Sequence, residues 1–313
     1  VTSPADHPQA PVVGWPRRIL GPFHFSGVFW FWFPFWAMSW LDGWMFDLVI
    51  LVFTLGFLVA LRQVRLALAS NLEAVLGPAG YWERQRRAFR TLRIFASCLA
   101  ERYEFLRYPD RFVVEVEGEE HLQEAAPAGQ GLIFVTAHIG AWETTSKRIA
   151  SNLARKAHVV REEELDGRSQ EFMEEILRRH GGVPFTTHFA TEDPGLGLEL
   201  LAALRRGEVV ALQGDRPRTG GRTVRARVFG RPLPLPVGPL ILARAAGVAL
   251  LPTFSFRDGR RRYRVVLRAP IRIAAEATRD AATSSAAQAL GEDLEWAIGR
   301  EPYQWFCLRR LWS

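Results

Sequence analysis

The sequence predicts an α/β fold, a mixed sheet flanked by helices, preceded by a helical membrane anchor. Three observations predict it. From residue 112 onward, short apolar runs of strand length alternate with longer stretches of helical spacing. Residues 23–41 and 48–61 are almost free of charge. A strongly basic amphipathic stretch joins the two portions. With 313 residues and 48% hydrophobic content the chain has ample material for a core.

In chain order, residues 1–16 are rich in proline and small polar side chains, as a mobile N-terminus would be. The anchor follows over 17–65. Its first apolar run, 23–41, carries four tryptophans, Trp30, Trp32, Trp36 and Trp40, a residue type that concentrates at the membrane interface. Pro34 interrupts it. The second run, 48–61, has 14 residues, enough for roughly 21 Å of helix against a hydrocarbon thickness of about 30 Å. A membrane hairpin, two interfacial helices and an aromatic core helix all fit this pattern. Arg17 and Arg18 before the pair, and Arg62 and Arg65 after it, place both flanks in the cytosol and favour a re-entrant or monotopic anchor. The first run has neither the position nor the small-residue cleavage site of a cleaved signal.

Residues 66–110 are expected to form basic amphipathic helices. Phe89, Leu92, Phe95, Leu99, Tyr103 and Leu106 recur at helical spacing, and Arg84, Arg86, Arg87, Arg90 and Arg93 crowd the first half. This face suits either anionic head groups or solvent. The remainder, 111–313, reads as one catalytic domain. Strands are expected at 112–117, 132–136, 158–161, 209–213, 224–229, 249–254 and 263–267, and helices at 141–156, 169–180, 197–206, 238–246 and 284–298.

Composition narrows the chemistry. Forty Lys and Arg against 33 Asp and Glu give a net charge of +7 and a pI near 10.1. The positive charge is almost wholly arginine, which suits phosphate groups and anionic surfaces. No zinc-finger spacing, RNP-like strand or recognition-helix pattern accompanies it, so no nucleic-acid partner is expected. Cys98 and Cys307 stand far apart and read as reduced thiols. With no HExxH and no Cys/His cluster, neither a metal nor another cofactor is expected.

The chemistry centres on residues 131–143, GLIFVTAHIGAWE. Leu132, Ile133, Phe134 and Val135 read as a strand covered on both faces, and a helix is expected from Ala141. His138 and Glu143 then flank a strand-to-helix turn in which Gly140 gives the backbone freedom. On one continuous helix, residues five apart would diverge by roughly 140° and not meet. Across a turn they can. A histidine held by a carboxylate is a general-base pair, and no serine or cysteine nucleophile stands beside it, which points to direct attack by a substrate hydroxyl. The alternative is a satisfied strand-end histidine and an ordinary acidic residue in a first helical turn.

This stretch resembles the H-x4-D/E block of the glycerolipid acyltransferases, and its wording is similar to the lipid A biosynthesis (lauroyl/myristoyl) acyltransferase branch. Ala141 departs from the Asn often found there. Two later blocks and the tail carry the same resemblance. Arg161 matches an arginine after the strand that follows the His helix; read from the residues alone, it either holds a phosphate or polar head or pairs with one of the glutamates at 162–164. Gln213, Gly214, Asp215 and Arg216 follow an apolar strand, and Phe229, Gly230, Pro232, Gly238 and Pro239 match the stretch behind them. The tail, 301–311, resembles a terminal Pro-x-Gln-Trp-x4-Arg segment. A glycerophosphate-type Phe-Pro-Glu-Gly-Thr-Arg motif is absent.

The resemblance implies an O-acyltransferase at the cytosolic face of a bacterial inner membrane. Its donor would be acyl carrier protein or a coenzyme A thioester, and its acceptor a hydroxyl of a membrane lipid or glycolipid, either lipid A-like or a lysolipid. His138 and Glu143 would be catalytic. Gly140, Trp142, Arg161, Asp215 and Arg216 would bind substrate. The rival readings are a lysophospholipid acyltransferase, a hydrolase using the same pair on water, and a non-catalytic basic module binding lipid or nucleic acid.

Overall fold

The computed structural model describes residues 41, 43–127, 129–142, 145, 155–161, 185–190, 195–218, 220–274 and 278–312. The expected apolar run at 23–41, apart from Leu41, lies outside the described residues, as do the helix expected at 169–180 and most of that at 141–156.

Among the described residues three helices come first, α1 (Gly43–Ala60), α2 (Arg62–Leu76) and α3 (Tyr81–Arg107). Flanking residues extend the second apolar run to 18 residues, roughly 27 Å, and α1 is the one helix among the described residues long and apolar enough to cross a membrane. Phe46 and Ile50 of α1 pack with Ala96 and Ala100 of α3. The opposite face, with Trp44, Leu48, Val52, Leu55 and Val59, is exposed. The α2 and α3 helices occupy most of the stretch expected to form basic amphipathic helices. The arginines of α3 are largely engaged within the helical layer: Arg86 and Arg87 with Glu83, Arg84 with Glu73, and Arg90 over the Tyr303 ring. Hydrogen bonds from Arg86 and then Arg87 hold the Glu83 carboxyl down at about 2.

Nine strands and four more helices follow among the described residues: β1 (Val113–Glu117), α4 (Glu119–Ala125), β2 (Leu132–Thr136), β3 (Ala157–Arg161), β4 (Phe185–Phe189), α5 (Gly195–Arg205), β5 (Val209–Gln213), β6 (Thr223–Val228), β7 (Arg231–Pro236), α6 (Gly238–Ala246), β8 (Leu250–Gly259), β9 (Arg262–Leu267) and α7 (Arg279–Arg300). Seven strands form a mixed sheet in the order β1-β9-β8-β2-β5-β3-β4. Strands β8, β2, β5, β3 and β4 run parallel, whereas β9 is antiparallel to β8 and carries β1 with it. One face packs against α5, α6 and α7, with Leu204, Leu240 and Leu290 in the core. The other packs against α4 through Leu122 and Ala125. The apolar run of β2 is buried on both faces, as its sequence requires.

Residues 231–236, for which no element is expected, form a strand. Pro232, Pro234 and Pro236 all fall on alternate positions of β7, which among the described residues pairs only with β6, so its outer edge asks nothing of the missing N–H groups. Leu233 and Leu235 point into the core from between them. Phe229 and Gly230 close this hairpin with positive φ, 50° and 71°, the signature of a two-residue I′ turn. The elements α4 and β4 are likewise additions to the expected set.

The helical layer is tied to the sheet by a buried ion pair. Glu101 of α3, fully buried, accepts two hydrogen bonds from the Arg257 guanidinium of β8 and one from the Tyr263 hydroxyl of β9. Burial opposes the Arg257 charge, but Glu101 outweighs it and raises that guanidinium further.

Candidate active site

The site is built at the carboxyl ends of two neighbouring parallel strands. The register of β2 and β5 pairs Thr136 with Gln213 and continues one step further, because the Gly214 N–H donates to Thr136 O at 2.8 Å. A side chain on Gly214 would drive into Val135. Two residues beyond the matched pair stand His138 and Asp215, and their side chains meet, Nδ1 to Oδ1, at 2.8 Å. Asp215 is buried, with 1% of its side chain exposed, while His138 keeps 15%. The second carboxylate oxygen, Oδ2, accepts from the Trp305 indole N–H at 3.2 Å. Burial pushes the Asp215 carboxyl up, but the charge and hydrogen bond of His138, the Arg216 guanidinium and the Trp305 N–H outweigh it. The group is held well below the usual carboxylate range.

The turn behind the histidine is gripped by the C-terminal segment. Gly140 donates to Gln304 O at 3.0 Å, Phe306 donates to His138 O at 2.8 Å, and Ile139 and Trp305 form an antiparallel bridge. Gly140 has a φ of +54°, and a Cβ there would strike the Ser255 carbonyl, so both backbone conformation and close approach require glycine. The Gln304 amide spans to β8, accepting from Arg257 N–H at 2.7 Å and donating to Arg257 O at 2.9 Å. Trp142 stands edge-on to the His138 ring, with centroids 5.6 Å apart.

The structure therefore brings together His138, Gly140, Trp142, Asp215 and Arg216. Arg216 is half-buried and donates to Phe306 O at 3.5 Å. Arg161 ends β3 on the same rim of the sheet; continuing the Val159–Ala211 register by two residues sets it level with Gln213, short of the level of Asp215. Glu143 lies outside the described residues. Asp215, expected to bind substrate, has one oxygen against His138 and the other against Trp305. Gly140 is buried and its N–H is spent on Gln304, so it shapes the turn. The Ile139 N–H is also spent, on Ala137 O at 2.7 Å. The next N–H, of Ala141, makes no hydrogen bond among the described residues.

The partnership of Asp215 with Trp305 was not legible in the sequence, although a Gly-Asp after an apolar strand and a Gln-Trp in the tail had marked both places. Cys307 is no rival nucleophile, since burial pushes its thiol up to about 11. Among the described residues no group of three or more His, Cys, Asp and Glu side chains is placed to hold a metal.

A histidine thus stands against a buried carboxylate at the carboxyl ends of two parallel strands. The family model described as bacterial lipid A biosynthesis acyltransferase matches residues 30–313. The chain belongs to this family. The acyltransferase is also similar to two proteins described as phosphatidylinositol mannoside acyltransferase, from Mycobacterium tuberculosis strains CDC 1551 / Oshkosh and ATCC 25618 / H37Rv. It is 32% identical to each over 154 residues, 46% of this chain and 45% of the relative. The match thus spans less than half the length of these curated relatives.

Proposed function

We propose that this acyltransferase moves a fatty acyl chain from an acyl thioester, on acyl carrier protein or coenzyme A, to a hydroxyl of a membrane glycolipid. The observation that carries the proposal is the 2.8 Å contact between His138 Nδ1 and Asp215 Oδ1. It occupies one ring nitrogen and leaves Nε2 as the base. His138 Nε2 takes the proton of the acceptor hydroxyl as the oxygen attacks the thioester carbonyl. Asp215 holds the tautomer and stabilises the imidazolium. The tetrahedral intermediate expels a thiolate, the C–S bond breaks, and His138 returns its proton to sulfur. No covalent enzyme intermediate is needed.

Glu143 was expected to orient the ring. An imidazole whose Nδ1 is taken by Asp215 has no second nitrogen to give to an orienting carboxylate and still act as a base. We therefore assign orientation to Asp215 and keep for Glu143 the charge-stabilising share of the role. The Ala141 N–H at the following helix start is the candidate oxyanion donor. Trp142 and Arg216 line the acceptor side, and Arg161 and Arg216 supply cations for the anionic parts of donor or acceptor.

The acceptor class is supported by the description of the relatives, whose named substrate carries mannose, and by the absent glycerophosphate motif. A lysophospholipid acceptor is the second reading. Residues 111–313 form the catalytic unit in this proposal, and residues 17–65 attach it to the cytosolic face of the bacterial inner membrane, where both thioester donors occur. The attachment is in-plane. One face of α1 is fastened along α3, so a spanning α1 would carry the charges of α3 into the hydrocarbon.

The test is acyl transfer by the detergent-solubilised full chain with palmitoyl-coenzyme A and either mannosylated phosphatidylinositol or a lysophospholipid. The expected product is an acyl ester of the glycolipid, lost in His138→Ala. Free palmitate released without any acceptor would make the protein a hydrolase, and full transfer by His138→Ala would end the proposal.

A further inference from the structure

We propose that Trp305 is a positioning residue for this reaction, setting the angle and preserving the charge of Asp215 and through it the base; the inference rests on the acyl-transfer reading above. Asp215 is sealed in the protein, and its two oxygens have different jobs: Oδ1 meets His138 at 2.8 Å and Oδ2 meets the Trp305 indole at 3.2 Å. One contact alone would let the carboxylate swing about its Cβ–Cγ bond. Two fix its plane, and that plane aims the imidazole.

The choice of donor matters. A guanidinium at Oδ2 would cancel the negative charge that the imidazolium needs as it forms, whereas an indole N–H satisfies the buried lone pair and leaves the net charge in place. Trp305 is itself held on three sides. Its backbone bridges to Ile139, its neighbours Gln304 and Phe306 take the Gly140 N–H and the His138 carbonyl, and its ring lies against Trp312, centroids 5.8 Å apart. The same three residues thus grip the backbone of the base and the charge of its partner.

The experiment compares Trp305→Phe, which keeps an aromatic ring and removes the N–H, with Asp215→Asn, the double variant and His138→Ala, all in the full chain. Transfer is followed with palmitoyl-coenzyme A as donor and a total membrane lipid extract as acceptor, and thermal melting checks the fold. The expected result for Trp305→Phe is a kcat reduced about 10-fold with a donor KM within about two-fold of the parent. The acid limb of its pH–rate profile is displaced by about half a pH unit. In the Asp215→Asn background the same change has no further effect, because the charge it serves is gone. Parent-like kcat and pH profile in Trp305→Phe, or an equal loss in both backgrounds, would overturn the inference. Undiminished transfer by His138→Ala would instead overturn the functional reading beneath it.

Discussion

His138 and Asp215 are 77 residues apart in sequence and 2.8 Å apart in space, because each stands two places past a matched pair, Thr136 and Gln213, on adjacent parallel strands. The pairing predicts a hierarchy among the acidic residues. Asp215→Asn preserves shape but cannot hold the reactive tautomer, and its kcat is expected to fall on the order of 100-fold or more. Glu143→Gln should fall less and keep the parent dependence on pH. Steady-state kinetics of the two variants decide; a severe loss in Glu143→Gln with near-normal Asp215→Asn would reverse the assignment.

Gly140→Ala is expected to lower both stability and turnover. It places a side chain at a φ of +54° and against the Ser255 carbonyl, with a cost of about 1–3 kcal/mol or more. Denaturant unfolding measures the first effect. A stable, fully active Gly140→Ala would show that the turn relaxes freely.

The Glu101–Arg257 pair predicts a purely structural effect. Glu101→Gln leaves the guanidinium buried without its counter-charge, and unfolding should become easier by about 3–5 kcal/mol. A loss under about 1 kcal/mol would mean that Tyr263 and water replace the carboxylate.

A buried pair of histidines predicts a stability change near neutral pH. His158 Nδ1 and His188 Nε2 lie 2.9 Å apart, buried between β3 and β4, with Glu208 on His158 and Glu199 near His188. Burial lowers the His188 value from 6.5; Glu199 opposes this, and His158 and Lys156 add to it. A histidine whose folded value lies below its unfolded one takes up protons more readily when unfolded. The stability it contributes is therefore complete above about pH 6.5 and declines as pH falls from there toward the folded value. Thermal melts between pH 7.5 and 5 should show that decline, and His188→Gln should flatten it. An unchanged slope in the variant would assign the decline to other groups.

Membrane attachment should follow the outward stripe of α1. Leu48→Glu combined with Val52→Glu is expected to reduce flotation with anionic vesicles at least about 10-fold while the melting temperature stays near the parent value, because both side chains point away from α3. Equal flotation would place the attachment elsewhere.

Local pattern was enough to place β2, β5 and α6 at their observed bounds, and to set β3, β9 and α5 within a residue or two. Each is long or apolar enough for periodicity to speak alone. The family resemblance, not the pattern, pointed to Trp142, Asp215 and Arg216, which lie near His138 in the structure. Pattern failed for β7, where alternate prolines look like a loop until an unpaired edge is available, and for α4 and β4, which are short and take their structure from the sheet.

What the sequence determined by itself was an α/β chain with an apolar amino-terminal helix and a histidine at a strand end, since those follow from spacing and composition within a few residues. That Asp215 lies against that histidine is visible only in the tertiary structure. Strand register, close approach of backbone at Gly140 and Gly214, and the docking of Trp305 act between segments far apart along the chain, and no local pattern encodes the distance at which they meet.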